Sequence, residues 1–96
     1  MKYVNLRTGS DVTPYEVIDQ SASGKTLTIR EMDYIAKEGS APMSNEWDYV
    51  SNPEHGRIVK VSKRKNGRYY TVGQPMTWWA GGQLSDEPYA HYDYSF

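Results

Sequence analysis

Short runs that alternate apolar and polar residues, Ser-Gly and Asn-Gly pairs placed between them, and an aromatic complement of nine tyrosines and three tryptophans against one phenylalanine predict an all-β fold. Alternation with period two is the mark of a strand with one buried face, the Gly-containing pairs punctuate hairpins, and rings with polar tips suit a small β core whose tips reach water at its rim. The architecture expected is a small antiparallel meander or SH3-like barrel of five or six short strands, with room for a single helical turn. Ninety-six residues are long enough for a core without disulfides or metals, so residues 1–96 are expected to form one small β domain.

Taken in order, Ser10, Asp11, Thr13 and Pro14 have turn or loop composition. Y-E-V-I-D-Q at 15–20 and K-T-L-T-I-R at 25–30 form a first hairpin. Its turn is either the pair Ser23-Gly24 or the four residues Ser21 to Gly24, and either choice places Ile18, Leu27 and Ile29 on one core face. Met32, Ile35 and Ala36 have helical spacing with Gly39 as a stop, but the strand running on through Asp33 is the preferred reading. Glu38 to Asn45 reads as loop, Trp47 to Val50 as a short strand, and S-N-P-E-H-G as the turn that closes it.

A second hairpin centres on Asn66-Gly67, read as a two-residue turn in which both residues take positive φ. That register opposes Val61 to Val72 and Lys63 to Tyr70. It sends Val59, Val61, Tyr70 and Val72 to the core, and Arg64, Tyr69 and Thr71 to the solvated side. The stretch from Gln74 to Gln83, with Trp78 and Trp79, is expected to be an aromatic loop bounded by Pro75 and Gly81-Gly82, and the alternating tail from Tyr89 to Phe96 a last strand.

Charge is segregated although the net is −1. Glu31, Asp33, Glu38, Glu46, Asp48 and Glu54 face one base, Lys37, across residues 31–54, whereas Arg57, Lys60, Lys63, Arg64, Lys65 and Arg68 have no acid among them across 57–68. The pattern implies either a dipolar surface or pairing between the two segments, and not a uniformly basic nucleic-acid binder. The absence of cysteine removes disulfides, thiol nucleophiles and thiolate metal sites and fits a reducing compartment. There is no apolar leader near the start and no apolar run long enough to span a bilayer, so no membrane association is expected.

S-D-V-T-P-Y-E-V-I at 10–18, S-G-K-T-L-T-I-R at 23–30, N-P-E-H-G-R-I at 52–58 and K-R-K-N-G-R-Y at 63–69 together resemble short uncharacterised proteins of tailed bacteriophages and prophages. The resemblance covers roughly residues 10–72 and departs from the pattern at His55 and in the Trp-Trp segment. It implies a viral origin and a workplace in the host-cell cytoplasm, and it carries no catalytic residue with it.

For enzymatic chemistry the sequence offers little. His55 and His91 are the two histidines, and neither a G-x-S-x-G elbow nor an H-E-x-x-H motif is present. His91 and Asp93 would share a strand face as two metal ligands but lack an adjacent third. S-G-K-T at 23–26 lacks the upstream glycine and the strand-to-helix setting of a phosphate loop. No catalytic residue, metal ligand or cofactor is therefore expected.

Two binding elements remain. The basic hairpin (Arg64, Lys65 and Arg68 beside Tyr69) could steer an acidic partner or hold nucleic-acid phosphates next to a stacking ring, although charged tips also protect sheet edges from pairing. Trp78 and Trp79 project oppositely in extended chain, which offers one ring as an interface anchor. The leading expectation is a non-enzymatic protein that binds a host or phage protein and modulates a host defence or regulatory system. The alternatives are nucleic-acid binding by the hairpin 57–70 and a structural role in the virion.

Overall fold

The computed structural model describes residues 2–8, 11–39, 46–74 and 80–91. Among these every regular element is a strand: β1 (Tyr3–Thr8), β2 (Asp11–Gln20), β3 (Thr26–Glu31), β4 (Asp33–Ala36), β5 (Trp47–Val50), β6 (Ile58–Lys63), β7 (Tyr69–Thr71) and β8 (Ala80–Ser85). Six of them close into an antiparallel barrel in the order β1-β2-β3-β6-β7-β8, with β8 returning to β1; β4 and β5 form a separate two-stranded sheet inserted between β3 and β6. The fold is thus all-β, as expected; β3 ends at Glu31, Met32 breaks the strand, and Asp33–Ala36 is strand rather than helix. Trp47–Val50 is a strand as anticipated.

Alternation fills the barrel. Val4, Tyr15, Leu27, Ile29, Val61 and Tyr69 form the buried cluster, with Leu6, Val17 and Val59 packed against it. Residues directly opposed on neighbouring strands share a face. The pairs Val4↔Tyr15, Val17↔Ile29, Leu27↔Val61 and Ile29↔Val59 therefore stack the interior from strand to strand. Complete burial of one such aliphatic side chain contributes about 1.5–3 kcal/mol before entropy is counted.

Several placements differ from the sequence reading. Asp11, Thr13 and Pro14, expected as turn or loop, belong to strand β2. The first hairpin's turn is the four residues Ala22 to Lys25, closed by the Ser21 N–H donating to the Thr26 carbonyl at 2.9 Å. A register shift between Val17 and Asp19 puts Val17 inside and leaves Ile18 40 % exposed. One extra residue in a strand changes which side chain faces the core, because the side-chain period is two.

The second hairpin slips by one residue for a similar reason. Arg64 and Arg68 pair across the turn, the Arg64 N–H donating to the Arg68 carbonyl at 2.9 Å and the Gly67 N–H to the Arg64 carbonyl at 2.9 Å. Gly67 takes φ +83°, so the loop is the three residues Lys65, Asn66 and Gly67, with glycine in the left-handed position. Val61 then opposes Thr71 and Lys63 opposes Tyr69. Tyr69 lies in the core with its hydroxyl donating to the Gly24 carbonyl at 3.1 Å, and Val72 is turned out, 55 % exposed.

The stretch expected to be loop up to Gly82 becomes strand β8 from Ala80 onward, and its two glycines have steric reasons. Gly81 has φ +97°, and a Cβ there would lie 2.7 Å from Tyr70 Cε2; a Cβ on Gly82 would lie 2.6 Å from the Asn5 carbonyl oxygen. Past β8 the chain crosses the outside of β1. The Asn5 side chain donates to the Glu87 carbonyl at 3.2 Å and accepts from the Tyr89 N–H at 2.9 Å. His91 exchanges backbone hydrogen bonds with Val12 at 2.8 and 3.0 Å. Residues 86–91 are therefore a strap, and the tail's expected strand from 92 onward lies outside the described residues. Lys2 pairs with Asp86 at the strap's start and holds that carboxyl below the usual carboxylate range; the pair is exposed and adds little to stability.

The β4–β5 arm is fastened by a buried carboxylate. Glu16, 1 % exposed on the outside of β2, accepts from Arg30 Nε at 3.0 Å and Nη2 at 2.6 Å, and from the Ser51 hydroxyl at 2.8 Å. Ser51 follows β5 directly, so this cluster ties the arm's base to the barrel wall. Tyr49 on the arm's inner side accepts from the Ala90 N–H at 3.0 Å, and Tyr34 meets Trp47 edge to face at 5.0 Å.

Candidate binding groove

The basic hairpin does not act as one finger. Arg64 folds back along its own strand, donating from Nε to the Ser62 hydroxyl at 3.1 Å and from Nη2 to the Gln74 carbonyl at 3.0 Å. Its guanidinium sits 5.8 Å from the centre of the Tyr70 ring, a cation–π distance. Tyr70 in turn covers Gly81 and accepts from Asn66 Nδ2 at 3.0 Å. Arg64 is thereby a structural side chain. Tyr69, expected beside it on the outside, is inside the barrel; Tyr70 lies on the outer face of the sheet but is buried there, as expected, against Gly81. Lys65 stands exposed at the tip.

Arg68, unlike Arg64, turns toward a concave surface of the described residues. Asn66 Oδ1 accepts its backbone N–H at 3.0 Å and fixes the turn. Arg68 then lines a groove of about 340 Å³ with Asn5, Arg7, Gly81, Gln83 and Tyr89. The floor is the outer face of β1 and β8, where Arg7 opposes Gly81 and Asn5 opposes Gln83. The strap with Tyr89, 52 % exposed, forms one wall and the β6–β7 turn the other. Gly81 is covered by the Tyr70 ring and Gly82 packs against Asn5 and Val4, so the floor between the two arginines carries the side chains of Asn5 and Gln83.

Sequence reasoning passed over Arg7. The alternation of Val4 and Leu6 points it outward, but only the closure of β8 onto β1 brings it into the same groove as Arg68. Such a surface, with two planar donors, amide side chains at its floor and an exposed phenol at its edge, is equipped to take carboxylates from an extended segment.

A second cavity of about 170 Å³ opens at the barrel mouth between Leu6, Thr13, Tyr15, Arg57 and Thr71, with Gln74 and Ala80 at its edge. Burial, and secondarily the neighbouring Glu31 carboxylate, raise the Tyr15 phenol above its ordinary value, while Arg57 opposes the shift. Trp78 and Trp79 lie outside the described residues; the flanks of their segment, Gln74 and Ala80, both border this mouth. Among the described residues no group of three acidic or histidine side chains could hold a metal. Asp93, the expected partner of His91 in such a site, lies outside them. Also among the described residues, no helix is long and apolar enough to cross a membrane.

The fold and groove define this chain as a six-stranded closed antiparallel barrel with an inserted hairpin arm and a basic cleft on its β1–β8 face. Compared with known protein families, curated proteins and solved structures, it matches none.

Proposed function

We propose that this chain is a non-enzymatic binding protein that takes an extended acidic segment of a host or phage protein in the Arg7–Arg68 groove. The observation that carries this reading is the groove itself, in which Arg7 of β1 and Arg68 of the β6–β7 turn flank a floor carrying Asn5 and Gln83 beside an exposed tyrosine. The bacteriophage or prophage origin and the host-cytoplasmic setting rest on the resemblance of the two hairpin motifs. Modulation of a host defence or regulatory system follows from that origin.

Charge arithmetic favours a short acidic peptide over nucleic acid. Two arginines neutralise about two phosphates, for a salt slope of roughly −2 on duplex DNA, far below that of a dedicated binder. Arg64, which would have extended the footprint, is committed to Tyr70 and Gln74. The test is fluorescence anisotropy of a labelled Asp/Glu-rich peptide against labelled single- and double-stranded oligonucleotides, at low and high salt. The peptide should bind, and Arg68→Glu should weaken it about tenfold or more, with circular dichroism unchanged. Preference for the oligonucleotides, or peptide affinity indifferent to Arg68→Glu, would sink the reading.

A further inference from the structure

Isolated exposed aliphatic side chains are ordinary on a protein surface. Here, among the described residues, four of the seven exposed large hydrophobics fall into two small clusters, one on a face with an excess of acids and one beside a lysine. The first is the outward face of the β4–β5 arm. Asp33 opposes Val50 and Ile35 opposes Asp48, so these four side chains share one face, with Ile35 60 % and Val50 49 % exposed. The opposite face, with Tyr34, Trp47 and Tyr49, holds the ring contact and the hydrogen bond to the strap. The Lys37 N–H donates to the Glu46 carbonyl at 3.0 Å, which continues the ladder and adds Lys37 and Glu46 to the outward face. The arm therefore turns to solvent an aliphatic face with three acids against one base.

The second cluster lies on the outside of the β6–β7 hairpin. The Val72 N–H donates to the Lys60 carbonyl at 3.0 Å, which continues the ladder and sets Val72 opposite Lys60. Ile58, two residues earlier on β6, shares that face. Ile58 and Val72 are 60 % and 55 % exposed, and the charge between them is positive. Each surface thus offers two aliphatic side chains, in a net negative setting on the arm and a positive one on the hairpin. That is the arrangement of an interface, with an apolar centre for affinity and charge for register. A two-stranded sheet standing alone is also marginally stable in water, and a covering surface would remove that weakness.

We propose that two copies of this chain pair reciprocally, the outward face of each arm (Asp33, Ile35, Asp48, Val50) seating on the other copy's outer β6–β7 face (Ile58, Lys60, Val72). Twofold symmetry uses each surface once per copy and leaves none open, the usual closed arrangement of soluble homodimers. The Arg7–Arg68 groove takes no part in the pairing, so peptide binding and dimerisation stand or fall separately.

Sedimentation velocity over a concentration series tests the pairing. Wild type should pass from monomer to dimer as concentration rises, and high salt should weaken but not abolish the dimer. Asp48→Lys and Lys60→Glu should each weaken association about tenfold or more, since each places like charges together twice per dimer. Mixed in equal amounts, the two variants should recover wild-type association, because both contacts become attractive again. Val72→Ser, on an exposed side chain that folding does not need, should weaken the dimer at every salt concentration. A wild type that stays monomeric throughout overturns the proposal, and so does a dimer that the mixed charge variants fail to restore.

Discussion

Replacing Glu16 by alanine removes the acceptor at the centre of the arm's attachment. Three charge-assisted hydrogen bonds are lost, two from Arg30 at 3.0 and 2.6 Å and one from Ser51 at 2.8 Å. Breaking a fully buried ion pair destabilises by about 3–5 kcal/mol, because the surviving charge is left without compensation. The Arg30 side chain keeps 21 % of its surface in water, so its guanidinium rehydrates in part, and the expected loss is nearer 2–3 kcal/mol. For a domain of this size that lowers Tm by about 10–20 °C. Urea unfolding followed by circular dichroism measures it, as a lower midpoint at unchanged slope. Hydrogen exchange adds a spatial readout, since amides of β4 and β5 should lose protection before those of β2 and β3. A paired change, Glu16→Met with Arg30→Met, should recover most of the loss, because apolar replacement of a whole buried pair is often neutral. A loss below about 1 kcal/mol for Glu16→Ala, or a double variant no better than the single one, would refute the account of Glu16 as the fastening.

Gly81→Ala should destabilise by about 2–4 kcal/mol, since alanine at φ +97° is strained and its Cβ would meet the Tyr70 ring; thermal unfolding measures it. Tyr69→Phe removes the hydroxyl that reaches the Gly24 carbonyl and should lose about 1 kcal/mol, with Lys65→Ala as a near-neutral comparison in the same denaturant series. The raised Tyr15 phenol stabilises the fold fully below the ordinary tyrosine value of about 10. That contribution is lost as pH rises through the folded-state value. Tyr15→Phe should therefore flatten the alkaline decline, read from denaturant midpoints measured on either side of that value.

Where local pattern decides structure, the sequence was readable. Thr-Leu-Thr-Ile on β3 and the Val-Lys-Val alternation on β6 place Leu27, Ile29, Val59 and Val61 without ambiguity. Where one residue more or less decides, it was not. The shift at Val17/Asp19 and the three-residue loop at Lys65–Gly67 each exchange an inside for an outside neighbour, and the difference lies in turn geometry that several turns of similar composition satisfy. β8 was hidden because Ala-Gly-Gly-Gln reads as loop; its glycines answer to Tyr70 and to the Asn5 carbonyl, which are distant in sequence. The groove was half legible for the same reason. Arg68 belongs to a recognisable basic hairpin, whereas Arg7 joins it only through the pairing of the first strand with the eighth.

That pairing also sets the order in which the barrel can be completed. Tyr3 lies opposite Ser85 and Thr8 opposite Ala80, so during synthesis β1 stands with one edge bare until residue 85 has cleared the ribosome. β7 pairs its backbone with β8 at one position, Tyr69↔Gly82, so the backbone ladder of β8 is almost wholly with β1. Contacts so remote along the chain make folding slow for a protein of this length. The nascent chain must meanwhile keep the open edges of β1 and β7 from finding other partners, and the lysine and arginine side chains at those edges (Arg7, Lys65 and Arg68) then serve before folding is finished.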